Sequence, residues 1–245
     1  LEKSRTRRQL SLTAVEGIKE IEMALESKMQ FHSLFFVKEL ANYEFIQEIV
    51  SANPKMELFE ISSDLFSKTA YRESTGGLVA VIHTAENKIS SFTPNKNPLL
   101  LVIDGVEKPG NLGAILRTAD AAAIDAVICS DLPGDLYNPN TIRASLGTVF
   151  TVPVYVGKGD EVRAWLKSNH FKTYCTNLHL SHDYDVEDYK GACAIVVGTE
   201  ATGVTEEWIK FADQNVKIPM LGKIDSMNVS VASAIMLFEA KRQRK

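Results

Sequence analysis

The 245-residue chain is 45% hydrophobic, enough for one large domain or two modest ones, and no apolar run approaches the ~20 residues that span a bilayer. A formal net charge of −4 argues against a protein that coats nucleic acid indiscriminately, because phosphate contacts are supplied by Lys and Arg. The three cysteines, Cys129, Cys175 and Cys193, are odd in number and scattered in or beside predicted strands, which suits small core residues rather than a disulfide or metal set.

The basic, polar start Leu1 to Arg8 has no apolar signal core behind it, so an ordinary soluble protein in the cytoplasm is expected. Lys3, Arg5, Arg7 and Arg8 crowd this end, and Lys241, Arg242, Arg244 and Lys245 crowd the other. They leave two readings open, a local positive surface or two solvated, frayed tails. Residues 11–28 read as a helix, because Leu12, Val15, Ile18, Ile21, Met23 and Leu25 approximate a helical stripe and Ser11 or Thr13 can cap it. A strand at Leu34 to Val37, a helix at Tyr43 to Ser51, a strand at Glu57 to Ile61, a helix opening near Ser63 and Asp64, and a strand at Leu78 to Ile82 follow. Alternation of this kind makes residues 1–85 a small α/β sandwich domain. Residues 86–98 are polar and punctuated by Pro94 and Pro98, the composition of an interdomain linker, so a second domain is expected over residues 99–245.

Beyond the linker, apolar strands alternate with helices: Leu99 to Asp104, Ala126 to Cys129, Val152 to Val156, Lys172 to Thr176, Ala194 to Val197 and Val216 to Ile218. Near-continuous apolar strands separated by helical stretches imply a parallel sheet covered on both faces. The last helix, Asn228 to Arg242, is lined with Val, Ala and Ser. It is predicted to be buried nearly all round, against its own sheet or against another subunit.

Three strand-to-loop transitions carry the polar residues of interest, at the place where α/β proteins build sites. The first is Pro109-Gly110-Asn111-Leu112-Gly113-Ala114-Ile115-Leu116-Arg117-Thr118-Ala119, the second Gly198-Thr199-Glu200-Ala201-Thr202-Gly203, and the third runs from Ile218-Pro219-Met220 through Ser226-Met227-Asn228-Val229-Ser230. Gly105, Gly110 and Gly113 with Asp131 downstream invite a dinucleotide-binding reading, but four residues separate the first two glycines and Pro109 intervenes, so the tight turn of G-x-G-x-x-G is lost. Arg117 on an otherwise apolar helix needs anionic or carbonyl partners. A salt bridge to Glu200 or Asp104 and an anion site satisfy that need equally. Ser226 and Asn228 precede a helical run and can simply cap it. His179, His182, Asp183 and Asp185 lie in a polar connecting stretch without matching ligands nearby in sequence, which favours a solvated loop over a metal site.

Taken together and in this order, the three segments resemble the signature segments of the SpoU, or TrmH-like, family of the SPOUT class of RNA methyltransferases. The first matches at Asn111, Gly113, Arg117 and Ala119, the second at Gly198, Glu200 and Gly203, and the third at Ile218-Pro219-Met220, Ser226, Asn228, Val229, Ser230 and Ala232. Arg143, Ser145 and Gly147 match a further Arg-x-Ser-x-Gly stretch. Met227 stands where the family has Leu, a swap of similar volume, and Ala121-Ala122-Ala123-Ile124 replaces its usual aromatic and glycine.

The resemblance implies a C-terminal parallel-sheet domain tied in a trefoil knot, a rare exception to the no-knot rule, behind an RNA-binding N-terminal domain of ribosomal-protein-like α/β fold. It implies S-adenosylmethionine as cofactor, held by Gly198, Thr199, Ile218, Leu221 and Met227, and no metal. Asn111, Arg117, Glu200, Ser226 and Asn228 are the implied catalytic set for methyl transfer to a ribose 2′-hydroxyl of structured RNA. Ribosomal RNA is favoured by analogy; transfer RNA, base methylation and a non-catalytic ribosome-assembly role are the alternatives. A homodimer through the last helix is implied as well.

Overall fold

The computed structural model describes the whole chain except residues 70–75, 85, 179–180 and 200–201. In chain order the elements are α1 (Ser4–Leu10), β1 (Leu12–Glu16), α2 (Ile18–Glu26), β2 (Phe31–Phe36), α3 (Tyr43–Ala52), β3 (Glu57–Glu60), α4 (Ser63–Thr69), β4 (Leu78–His83), β5 (Asn87–Lys88), β6 (Leu99–Asp104), α5 (Pro109–Ala121), β7 (Ala126–Ser130), α6 (Pro139–Ala144), α7 (Thr148–Thr151), β8 (Val154–Gly157), α8 (Gly159–Ser168), β9 (Lys172–Thr176), β10 (His182–Asp183), β11 (Cys193–Val197), α9 (Glu206–Phe211), β12 (Gln214–Lys217) and α10 (Val229–Gln243). Contacts divide them into two compact units, residues 1–85 with 135–151, and residues 86–134 with 152–245.

The first unit is built on a four-stranded sheet of order β1-β4-β2-β3, in which β4 runs antiparallel to both neighbours and β2 pairs β3 in parallel. Residues 11–28 are not one helix. Leu12–Glu16 is a strand whose Thr13 and Val15 turn inward while 12, 14 and 16 stay half-exposed, and it pairs with Val79 to His83 of β4. The β-branched residues at alternate positions favour extended backbone. Gly17 then turns the chain at φ 100°, a backbone conformation that residues with a side chain rarely adopt, so glycine suits the junction between strand and helix.

Segment 135–151, although it lies between β7 and β8 in sequence, completes this unit. Arg7 Nε meets Asp135 Oδ2 at 2.6 Å, with both side chains about 95% buried. Thr13 Oγ1 donates to the Tyr137 carbonyl at 2.7 Å. The expected Arg-x-Ser-x-Gly stretch falls here: Ser145 is buried and donates to the Ile142 carbonyl, and Gly147 at φ 84° lets α2 approach so closely that an added Cβ would lie 2.7 Å from Met23 Cβ. Arg7 is therefore a structural residue rather than part of a frayed tail.

The second unit carries an eight-stranded sheet of order β10-β12-β9-β11-β6-β7-β8-β5, and every strand pair in it is parallel. β6, β7 and β11 are buried at every position, as expected for central strands with both faces covered. Residues 86–98 do not behave as a free linker. Asn87–Lys88 adds the edge strand beside β8, Ile89 is 4% exposed, and Phe92 stacks on Tyr155 and Trp165 at centroid distances of 4.6 and 5.3 Å. These few apolar side chains outweigh the polar composition around them.

Helix α10 packs on α5 and on the central strands. Within one copy Val229, Ser233, Met236, Leu237 and Ala240 are buried against its own unit, whereas Val231 and Phe238 are 50% and 52% exposed. Its C-terminal end is fastened to the start of the sheet. Gln243 bridges Tyr189 N and the Glu187 carbonyl, and Arg244 donates to the carbonyls of Asn97, Tyr189 and Gly191. Arg244, like Arg7, is held by the fold.

Candidate active site and cofactor cavity

Helix α5 starts with Pro109 in its first turn, where the missing N–H costs nothing, and buries Leu112, Gly113, Ile115, Leu116 and Ala119 against the sheet. The accessible side carries half-buried Asn111 and exposed Arg117. Asn228 caps α10, its Oδ1 accepting from Ser230 N at 2.9 Å, and its Nδ2 donates to Asn111 Oδ1 at 3.1 Å. One asparagine thus does two things. It starts the last helix and joins the third segment to the first across 117 positions of sequence. With its oxygen so engaged, Asn111 keeps its amide nitrogen, a donor only, for another group.

The second segment forms a tight loop. Thr199 and Gly203 exchange both backbone hydrogen bonds at 3.0 Å, and Thr202 N donates to Thr199 Oγ1 at 3.1 Å. A Cβ on Gly198 would lie 2.1 Å from the carbonyl atoms of Gly203, so this position admits glycine alone. Below the loop opens a cavity of about 520 Å³. Its wall takes Gly198, Thr199, Thr202, Gly203 and Val204 from the loop, Val216, Lys217 and Ile218 from β12 and its exit, and Met220, Asp225, Ser226, Met227, Val229 and Ala232 from the third segment.

Of the residues expected to bind cofactor, Gly198, Thr199, Ile218 and Met227 line this cavity. Leu221 does not. It is 97% exposed, because the chain leaves the sheet after Lys217 and runs open to solvent over residues 221–226. Of the expected catalytic set, Ser226 lines the cavity and bonds Asp225 Oδ1 at 3.2 Å, Asn111 and Asn228 hold each other, and Glu200 lies outside the described residues. Thr176, Asn177, Lys217 and Asp225 also line the wall and were not anticipated. The signal for Thr176 and Asn177 is their place at the C-terminal end of a parallel strand, the same rule that marked the other loops.

Asp104 is not the partner of Arg117. Its Oδ2 accepts from Thr205 N at 2.9 Å, and Arg117 makes no ion pair among the described residues. An exposed guanidinium without an internal partner stays available to an external anion or hydroxyl. Burial pushes the thiols of Cys129 and Cys175 up to about 12, the nearby carboxylates of Glu86 and Asp104 adding to the effect, so both remain neutral packing groups. His182–Asp183 forms the edge strand β10, where Asp183 pairs with Lys217 at 3.8 Å, and His179 lies outside the described residues. Among the described residues no group of three His, Cys, Asp or Glu side chains is arranged to hold a metal.

By fold and site the chain is an α/β protein whose parallel sheet carries a cavity at the carboxyl ends of its strands, walled in part by the start of the last helix, whose capping Asn228 bonds Asn111 on the helix of Arg117. Residues 98–238 match the model of the SpoU rRNA methylase family, and residues 1–80 match that of the MRM3-like substrate binding domain. The chain belongs to the SpoU rRNA methylase family and is an enzyme of that family. It is 32% identical over 227 residues to the 23S rRNA (guanosine(2553)-2′-O)-methyltransferase RlmP of Bacillus subtilis, covering 93% of this chain and 87% of that one. Over 198 residues it is 36% identical to the 23S rRNA (guanosine-2′-O-)-methyltransferase RlmB of Vibrio vulnificus, with 77% and 79% covered. A crystallised RNA 2′-O ribose methyltransferase superposes with a TM-score of 0.84 at 35% identity over 99% of this chain and 92% of that one. The AdoMet-bound rRNA methyltransferase of Sinorhizobium meliloti superposes with a TM-score of 0.91 at 26% identity, over 98% and 91%.

Proposed function

We propose that this protein transfers a methyl group from S-adenosylmethionine to a ribose 2′-hydroxyl of ribosomal RNA. The observation that carries the reading is the joining of the three polar segments: Asn228 holds Asn111 on the helix of Arg117, and the same C-terminal segment walls a cavity with the Gly198 loop. The ribosomal preference is supported by the printed activities of the relatives, which are 23S rRNA 2′-O-methyltransferases.

The cavity fits the cofactor. Its volume of about 520 Å³ falls within the roughly 300–1,000 Å³ of small-molecule sites, Gly198 allows backbone to approach a planar group, and Val204, Ile209, Met220 and Met227 offer apolar contact beside polar Thr199, Asn177 and Ser226. Gly198, Thr199, Ile218 and Met227 would hold it there. The cofactor supplies an electrophilic methyl on sulfur. A ribose hydroxyl is a poor nucleophile, so the protein must orient it and ease loss of its proton. Arg117 offers its guanidinium donors to the adjacent phosphate and polarises the hydroxyl. Asn111 donates to a ribose or phosphate oxygen, oriented by Asn228, and Ser226 and Glu200 complete the set.

We further propose that the segment from Ile218 to α10 is threaded beneath the Gly198 loop as a trefoil knot, and that residues 1–85 form the RNA-recognition domain. Two copies pair through α10, where covering the exposed halves of Val231 and Phe238 would contribute about 1 kcal/mol each, roughly half the value of full burial. No helix among the described residues is long and apolar enough to cross a membrane, and an enzyme of ribosomal RNA would work in the cytoplasm.

Labelled methyl transfer to unmodified ribosomal and transfer RNA in parallel tests the activity. Incorporation into ribosomal RNA, at a nucleotide whose 3′ linkage then resists alkaline cleavage, is the expected result. A product that alkali still cleaves points to the base, and no transfer to either RNA refutes the reading.

A further inference from the structure

The loop over the cavity is secured by a side chain that belongs to a different segment. Asp104 ends β6, is 3% exposed, and accepts from Thr205 N at 2.9 Å across 101 positions of sequence. Thr205 stands between the cavity loop and α9, at φ −67° and ψ 155°, and its own side chain does not cap that helix. Its carbonyl accepts from Trp208 N and Ile209 N. One carboxylate therefore fixes both the exit of the loop and the first turn of the helix that brings Ile209 into the cavity wall.

The same short stretch also meets the loop at its entrance. Gly105 follows Asp104 at φ 64°, and a Cβ there would touch Thr199 Cγ2 at 3.7 Å. Three residues further on, Lys108 caps the start of α5, the helix of Asn111 and Arg117. Asp104 is thus the point from which the catalytic helix departs and to which the cofactor loop is tied. It makes no ion pair among the described residues. A carboxylate buried on one backbone donor is a costly way to fill the end of a central strand, and an apolar residue would fill it at lower cost. What an apolar residue cannot supply is an acceptor oxygen aimed at Thr205 N.

We infer that Asp104 is a positioning residue for methyl transfer. Through the Thr205 N–H it sets the distance between the loop that holds the methyl donor and the helix that holds the acceptor, and it touches neither. The inference rests on the methyl-transfer reading above. It predicts a particular split of kinetic effects: loss of Asp104 raises the KM for S-adenosylmethionine and lowers kcat, while the KM for RNA stays unchanged.

The test compares Asp104→Ala, Asp104→Asn and wild type in calorimetric titration with S-adenosylmethionine, in steady-state kinetics, and in hydrogen exchange at the Thr205 amide. Asp104→Ala is expected to weaken cofactor binding roughly tenfold or more and to speed Thr205 exchange, while Asp104→Asn, which keeps an amide oxygen as acceptor, recovers most of both. Thr205→Pro provides an independent route should the alanine variant fail to fold. Its φ already suits proline, and the change deletes the N–H together with an exposed hydroxyl that does not cap α9, with the same loss of affinity expected. Wild-type affinity and Thr205 protection in Asp104→Ala, or wild-type affinity in Thr205→Pro, would overturn the inference. So would an asparagine variant as impaired as alanine. A wild-type protein that binds no S-adenosylmethionine would instead sink the methyl-transfer reading, with Thr205 exchange still reporting on the Asp104 tie.

Discussion

Replacing Arg7 with Ala should cost far more stability than a residue so near the start of the chain suggests. Its guanidinium meets Asp135 at 2.6 Å with the two side chains 4% and 5% exposed, and also donates to the carbonyls of Leu1 and Glu2 at 2.7 Å. Removal leaves the Asp135 carboxylate buried with the Tyr137 N–H as its remaining hydrogen-bond donor, at 3.0 Å. Breaking a buried pair from one side typically costs about 3–5 kcal/mol, so the first unit should lose that much. Joint replacement, Arg7→Met with Asp135→Leu, removes both charges and should recover most of the loss. The exposed pair Lys210–Glu206, 75% and 79% exposed, serves as control, and Lys210→Ala should leave the unfolding midpoint where it is. Urea unfolding followed by circular dichroism reads the whole molecule, and hydrogen exchange at β1 and α6 reads the unit concerned. An Arg7→Ala protein within about 1 kcal/mol of wild type, with protection at β1 and α6 intact, would refute the reasoning, since it would deny that a buried charge pair closes this unit.

Other consequences are as direct. Gly198→Ala places a methyl 2.1 Å from the Gly203 carbonyl group, with the Val204 nitrogen at 2.2 Å, so the loop must open, and cofactor affinity should fall by at least tenfold in equilibrium titration; unchanged affinity would contradict the packing described. Phe238→Glu puts a charge on the exposed stripe of α10, and sedimentation should show a wild-type dimer turned to monomer. A wild-type monomer, or a variant that still pairs, would remove α10 from the interface.

The second unit was largely legible in its sequence. The strand at Leu99 to Asp104 occurs at the residues expected for it, because an apolar run between Pro98 and Gly105 leaves little choice. Residues 11–28 misled for a physical reason: Leu12, Val15 and Ile18 fit a helical stripe, but Thr13 and Val15 also fit the two-residue period, and Gly17 is the break that decides. The role of 86–98 hid behind its polar composition, since Phe92 anchors it through ring partners distant in sequence, Tyr155 and Trp165. Tertiary structure alone reveals that Asp135 to Thr151 completes the first unit. At the site, the three segments were found by their resemblance to a family; their spacing could not have shown that Asn228 bonds Asn111, and nothing local marked Asp225 or Lys217 as cavity residues. Small apolar residues along α10 give no hint which half of the helix faces its own sheet and which half stays open in a single copy.

Arg117, exposed on α5 and free of ion pairs among the described residues, is proposed to serve the transfer itself rather than the fold or the cofactor. Its most direct test measures, on Arg117→Ala and wild type side by side, the single-turnover rate of methyl transfer to ribosomal RNA and the affinity for S-adenosylmethionine. The variant should lose rate by at least about a hundredfold, the scale of an orienting or proton-handling group, with affinity within about threefold of wild type. A variant that transfers methyl at the wild-type rate, or one whose only defect is lost cofactor binding, would contradict that role.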